Sequence, residues 1–309
     1  MTKPSLPPDR AHLLTEQRNP STMRLHELSV RECVDLIHEE DREVFRAMKR
    51  ADHLLAKLIA AIEPGFLRGG RLIYVGAGSS GRLGVLDASE APPTFQVDPG
   101  KVVGLIAGGD AALRRSSEGK EDDPKGAWPE LESLELTGDD AVIGIAAGGT
   151  TPYVLGALEF CKIKPGEGDR PLTAMLVCVN IDPPPHCDHF IVLKTGPEVI
   201  TGSTRMKAGT ATKLALNTIS TTLMIRAGRV YENLMVDLRA TNDKLRDRAA
   251  RIISMATGAA REEAFSLLSA ADGSVKAAIV MRKLGVDAAR ANHLLAHAGG
   301  RLDRVLSAG

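Results

Sequence analysis

Aromatic residues are scarce in this chain: three Tyr, six Phe and one Trp among 309 residues. So few rings leave little on which the bases of a single nucleic-acid strand could stack. Net charge is missing as well. The 39 basic and 39 acidic residues cancel, which excludes a long cationic face for a phosphate backbone. No apolar run approaches the roughly 18–20 residues that span a bilayer. The start, MTKPSLPPDRAHLLTEQRNPST, is polar and proline-rich and has no signal-peptide core. Four cysteines (Cys33, Cys161, Cys178, Cys187) lie far apart, two of them in apolar segments, as expected of reduced structural thiols. These absences point to a cytoplasmic protein that works on small molecules, with neither nucleic acid nor membrane as partner.

What is present is an ordinary globular composition, 43% apolar, long enough for one large α/β domain and a smaller appendage. The first ~20 residues read as a flexible or surface-draped arm, and helical spacing of apolar residues runs from about 29 to 68. Five short apolar runs follow, at 71–78, 102–109, 141–149, 173–180 and 190–196. Helical patterns at 80–90, about 110–120 and 152–163 separate most of them, which predicts a parallel sheet covered on both faces. Residues 204–228 are strongly helical, and the chain is helical from 241 onward. The predicted division is an N-terminal arm with helices (1–60), a central domain (61–240) and a C-terminal helical domain (241–309).

The most informative stretch is RLIYVGAGSSGRLGVLDASEAPPTF, residues 71–95. A β-type run stops at Gly76, a small hydroxyl-rich loop follows, and a helix begins. That order leaves N–H groups unpaired at a helix start, which suits an anion. Gly76-x-Gly78-x-x-Gly81 also fits the dinucleotide fingerprint. The second strand, however, ends in Ala107-Gly108-Gly109 with Asp110 just beyond, a poor ribose ligand, while Ser79 and Ser80 suit a compact monophosphate. A structural tight turn is the third reading.

A second loop of this kind, Gly148-Gly149-Thr150-Thr151-Pro152, ends the third strand, where Thr150 or Thr151 can cap the next helix. The segment Ser203-Thr204-Arg205-Met206-Lys207 opens another helix and offers a hydroxyl, a guanidinium and an ammonium near its positive end. Asp87 and Glu90 are three apart on one helix and share a face. The cluster Glu118-Gly119-Lys120-Glu121-Asp122-Asp123 follows the second strand and reaches the same sheet edge, so a two-carboxylate acid/base site is conceivable. His186-Cys187-Asp188-His189 is too crowded for a usual structural zinc site, and His293 and His297 lack a zinc-protease glutamate. No metal or other cofactor is expected.

TEQRNPST (15–22), GAGSSGRLGVLDASEAPPTF (76–95), LIAGG (105–109), EGKEDD (118–123), GIAAGGTTPY (144–153), TGSTRMKAGTATK (201–213) and NLMVDLRATNDKLRDRA (233–249) together resemble the N-acetylmuramic acid 6-phosphate etherases. The resemblance covers nearly the whole chain, in order. It implies a sugar-isomerase (SIS) domain, a parallel five-stranded α/β sandwich, with added N-terminal helices, a small C-terminal helical domain and a homodimeric assembly. It further implies cleavage of the ether that joins D-lactate to C3 of N-acetylmuramic acid 6-phosphate, with no redox cofactor or metal.

Carried over by position, Glu90 matches the principal acid/base of that family and Glu121 its second catalytic glutamate, with Glu118 a near neighbour. Gly78, Ser79 and Ser80 fall in the phosphate loop. At 148–151 many members read Ser-Gly-Arg-Thr where this chain has Gly-Gly-Thr-Thr, so Thr150 and Thr151 carry the remaining hydroxyls. Ser203, Arg205 and Lys207 complete the expected substrate and phosphate contacts. Two other functions share these loops: a different SIS-domain sugar isomerase and a non-catalytic sugar-phosphate sensor. Neither accounts as well for the contexts of both glutamates.

Overall fold

Ser29 opens the longest helix with a capping box: its hydroxyl accepts from the Glu32 N–H while the Glu32 carboxylate accepts from the Ser29 N–H. In the computed structural model, which describes residues 9–164, 166–238 and 242–308, this helix runs unbroken as α1, Val30–Arg68. From residue 9 onward the segment before it is held against the fold. Leu13, Thr15, Asn19 and Thr22 are buried, and short 3-10 turns at Leu14–Glu16, Pro20–Thr22 and Leu25–Glu27 hold it. Asn19 is the reason. Its side-chain oxygen caps Ser21, while its amide donates to Glu40 at 2.7 Å and to the Pro197 carbonyl at 3.3 Å. Residues 1–8 lie outside the described residues, as does the predicted boundary at 240.

Two compact units divide the chain: one holds residues up to Ser89 together with Gly100–Ile219, the other Glu90–Pro99 together with residues from Ser220 onward. The first contains the sheet. β1 (Leu72–Gly76) leads through α2 (Gly78–Phe95) to β2 (Val102–Ile106). Short helices α3 (Ala111–Arg114) and α4 (Trp128–Ser133) precede β3 (Ala141–Ile145), α5 (Pro152–Ile163), β4 (Leu172–Val177), β5 (His189–Val192) and α6 (Lys207–Arg226). All five predicted strands form, parallel, in the order β2-β1-β3-β4-β5. The helix expected near 110–120 shrinks to one turn, because Gly108 and Gly109 take left-handed turns before it and the polar 115–123 stretch supplies no apolar face.

β1 and β3 are buried at every position, as central strands covered on both faces must be. Ile73 and Val75 join Val154, Ala157 and Leu158 of α5 on one face. Tyr74 points the other way, where its hydroxyl donates to the buried Asp87 of α2 at 3.0 Å. Asp87 is therefore a structural acceptor. At the opposite end of the sheet Asp140 takes bonds from the Arg71 N–H and guanidinium and from the Thr137 N–H, at 2.7 to 3.0 Å, tying the starts of β1 and β3.

The second unit is the helical tail: a hairpin of β6 (Val230–Tyr231) and β7 (Leu234–Met235), then α7 (Asp243–Thr257), α8 (Arg261–Ala270), α9 (Val275–Leu284), α10 (Ala288–His297) and α11 (Leu302–Ser307). Its core gathers Ile252, Ile253, Leu268, Ile279 and Val280. Among the described residues no single helix is long and apolar enough to cross a membrane. The four cysteines are free, and burial pushes the Cys161 and Cys178 thiols up to about 12.

Candidate active site

Parallel strands in register bring their loops to one edge. Gly76 of β1 sits beside Ile106 of β2 on one side and Ile145 of β3 on the other. The chain leaves β1 towards β2 and returns on the far side at β3, so the strand order reverses between β1 and β3. Open α/β sheets form their ligand crevice at such a point.

The β1 loop is built by close approach. A Cβ on Gly81 would lie 2.7 Å from the Gly76 carbonyl oxygen and 2.6 Å from Ile106 Cγ1, so α2 can start directly against the strand ends only with glycine there. Gly78 supplies the turn, at φ +52. The Gly81 N–H donates to Ala77, whereas among the described residues the N–H groups of Gly78, Ser79 and Ser80 have no main-chain acceptor. Three N–H groups and two half-buried hydroxyls thus surround the positive end of α2.

Thr151 is the N-cap of α5 with Pro152 after it, but its side chain makes no capping bond. Instead the Val154 and Leu155 N–H groups donate to the Thr151 carbonyl, and the Tyr153 N–H donates to the Glu121 carbonyl at 3.0 Å. That last bond docks the 118–123 loop on the start of α5. Ser117 ties the front of the same loop to the Ala107 carbonyl at the end of β2, at 3.0 Å. Half-buried Glu121 therefore sits at the edge that carries Thr150 and Thr151. The side chain of Glu118 lies outside the described residues.

Beneath the Glu121 loop is a cavity of about 320 Å³ bordered by Gly108, Gly109, Lys120, Asp123, Glu130 and Tyr153. The Tyr153 hydroxyl is buried, and among the described residues no acceptor meets it in hydrogen-bond geometry, although Glu130 is near enough to act on it electrostatically. Burial and the Glu130 carboxylate both push the phenol up. Partial burial, with Asp110 adding to it, likewise raises the Glu130 carboxyl against the opposing pull of Tyr153.

A second cavity, about 450 Å³, lies between α2 and α6 and brings Ser79 together with Arg82, Arg205 and Lys213. Arg82 donates to the Leu113 and Arg115 carbonyls at 3.3 Å, and Lys213 donates to Asn217 at 2.7 Å. Arg205 is exposed and, among the described residues, unpaired. Ser203 and Lys207 do not line this cavity. Lys207 is buried, with its ammonium 2.6 Å from Glu40, and Glu198 accepts from the Lys207 and Ala208 N–H groups at 3.0 and 2.9 Å. The start of α6 is thus already filled by a carboxylate, which burial pushes above the ordinary range despite its two donors. Glu90 is exposed on α2. It follows Ser79 by eleven residues along α2.

With this geometry in place, comparison with known proteins decides the family. An N-acetylmuramic acid 6-phosphate etherase of Synechococcus sp. (strain CC9902) is 49% identical over 94% of this chain and 92% of its own length. One from Caldanaerobacter subterraneus subsp. tengcongensis is 50% identical over 93% of each chain, and one from Streptomyces coelicolor 47% identical over 96% and 94%. The chain belongs to the N-acetylmuramic acid 6-phosphate etherase family. Residues 54–162 also match the model of the glucokinase regulatory protein N-terminal SIS domain. This etherase-family chain carries lining residues that the sequence had not singled out, Arg82, Lys213, Glu130 and Tyr153, beside Lys120 and Asp123 of the acidic cluster already noted. Arg82 had a signal, since it lies three residues after Ser79 on the same helix. Glu130 and Tyr153 had none, because only the fold brings α4 to α5.

Proposed function

We propose that the protein is a carbon–oxygen lyase that splits N-acetylmuramic acid 6-phosphate into N-acetylglucosamine 6-phosphate and D-lactate, in the recycling of cell-wall amino sugars, and that it works as a cytoplasmic homodimer. The observation that carries this reading is the N–H groups of Gly78, Ser79 and Ser80, which have no main-chain acceptor among the described residues, with Ser79 lining a cavity together with Arg205, in a chain about half identical to named etherases over more than nine-tenths of its length. These groups are assigned to the 6-phosphate: a dianion matches a helix N-terminus and a free guanidinium.

The carboxylates then have defined work. In the open-chain sugar C2 is α to the aldehyde, so a base removes its proton and the C2–C3 double bond forms. The C3–oxygen bond breaks as a general acid protonates the lactyl oxygen. Water adds to C3, and a proton returns to C2. Glu90 is assigned the proton donation to the lactyl oxygen and Glu121 the second acid/base role. Each such step contributes about 10²–10⁴-fold. Thr150 and Thr151 stand at the same edge as Glu121 and complete the assigned substrate contacts, together with Ser203.

The test is release of D-lactate from N-acetylmuramic acid 6-phosphate by the wild-type protein and by E90Q and E121Q. Each variant is expected to fold and to lose about 100-fold or more in kcat. Full activity in either variant would remove that residue from the mechanism. Binding of the sugar phosphate by folded wild-type protein without lactate release would favour the sensor reading, to which the glucokinase regulatory protein match lends some weight.

A further inference from the structure

Between β5 and α6 the chain runs through residues 193–206 with no helix or strand of its own, yet it must deliver Arg205 to the cavity shared with Ser79. Loops of this length are ordinarily mobile unless something outside them fixes them. Here the anchors come from the far N-terminal segment. The Thr15 carbonyl accepts from the Gly202 N–H at 3.0 Å, and Asn19 donates to the Pro197 carbonyl at 3.3 Å. The same Asn19 amide donates to Glu40, whose carboxylate also holds Lys207 at the start of α6. Leu13 and Thr15 flank the β3 loop: their side chains lie 3.9 and 3.8 Å from where a Cβ on Gly148 would stand. One segment, with Leu13, Thr15 and Asn19 buried, therefore touches both the loop that carries Arg205 and the loop beside Thr150.

We propose that residues 13–19 act as a strap that holds the 197–206 loop in its anion-binding form, with Asn19 as the positioning residue for Arg205. This rests on the assignment of Ser79 and Arg205 to the substrate phosphate. Asn19 touches no substrate. If loosening the strap leaves the loop competent only a tenth of the time, apparent phosphate affinity falls about tenfold, because the measured constant is divided by the competent fraction.

The experiment compares N19A with wild type in two ways: KM and kcat for N-acetylmuramic acid 6-phosphate, and the Kd for inorganic phosphate by calorimetric titration. Because N19A also strips a donor from the Glu40–Lys207 pair and could impair folding, L13A serves as a second variant that loosens the strap without touching that pair. Both are also made in an R205A background, where an effect carried by Arg205 must disappear. Expected are rises of about fivefold to tenfold in KM and phosphate Kd, kcat within twofold of wild type, and changes under twofold once Arg205 is gone. Unchanged KM and Kd in both folded variants, or equal increases with and without Arg205, would overturn the proposal. If wild type releases no D-lactate, the functional reading fails, and the phosphate Kd comparison alone then decides whether the strap exists.

Discussion

Asp140 has 1% of its side chain exposed and is paired with Arg71 at 2.7 Å. Burial alone would raise its pKa, but the Arg71 guanidinium and the main-chain donors of Thr137 and Arg71 hold it below the ordinary aspartate value. A depressed carboxyl contributes stability that is complete above about pH 4 and fades as pH falls through the folded-state value. D140N is therefore expected to lose about 3 kcal/mol at neutral pH, with the gap to wild type narrowing below pH 4 in denaturant titrations. A gap independent of pH would contradict the ionic account of this residue. Sequence reading had no access to Asp140, since an acid at a strand start looks like any turn residue until the fold sets Arg71 beside it. Lys207 shows the same blindness from the other side. Its place near a helix start suggested an anion ligand, and only the tertiary structure reveals that Glu40 holds its ammonium.

At the scale of elements, the β1–α2 junction depends on the absence of two side chains for different reasons. A methyl group at Gly81 meets the Gly76 carbonyl and Ile106, whereas one at Gly78 meets nothing and pays only the left-handed backbone penalty. G81A is thus expected to cost about 2 kcal/mol or more and G78A about 1 kcal/mol, read as shifts in the urea midpoint; the reverse order would argue against the close approach of α2 to the strand. The glycine pattern itself was legible in the sequence because a strand, a tight loop and a helix each leave their own periodicity. The docking of the Glu121 loop on α5 was not, because a main-chain bond from Tyr153 to Glu121 has no side-chain signature.

Over the whole molecule, the five strands and the helical tail could be read in advance, since continuous apolar runs of strand length and 3.6-residue spacing survive without tertiary information. Two features could not. The N-terminal segment is polar and proline-rich, and its burial comes from Asn19 bonds to residues far along the chain. The division into units passes through α2 just before Glu90, within one continuous helix that gives no compositional sign of it. The central claim is elimination followed by hydration on a phosphate held at the β1 loop, and it is tested most directly by turnover of N-acetylmuramic acid 6-phosphate in deuterium oxide. The predicted result is D-lactate together with N-acetylglucosamine 6-phosphate carrying deuterium at C2. D-lactate release with no deuterium at C2, or no release at all from folded protein, would contradict it.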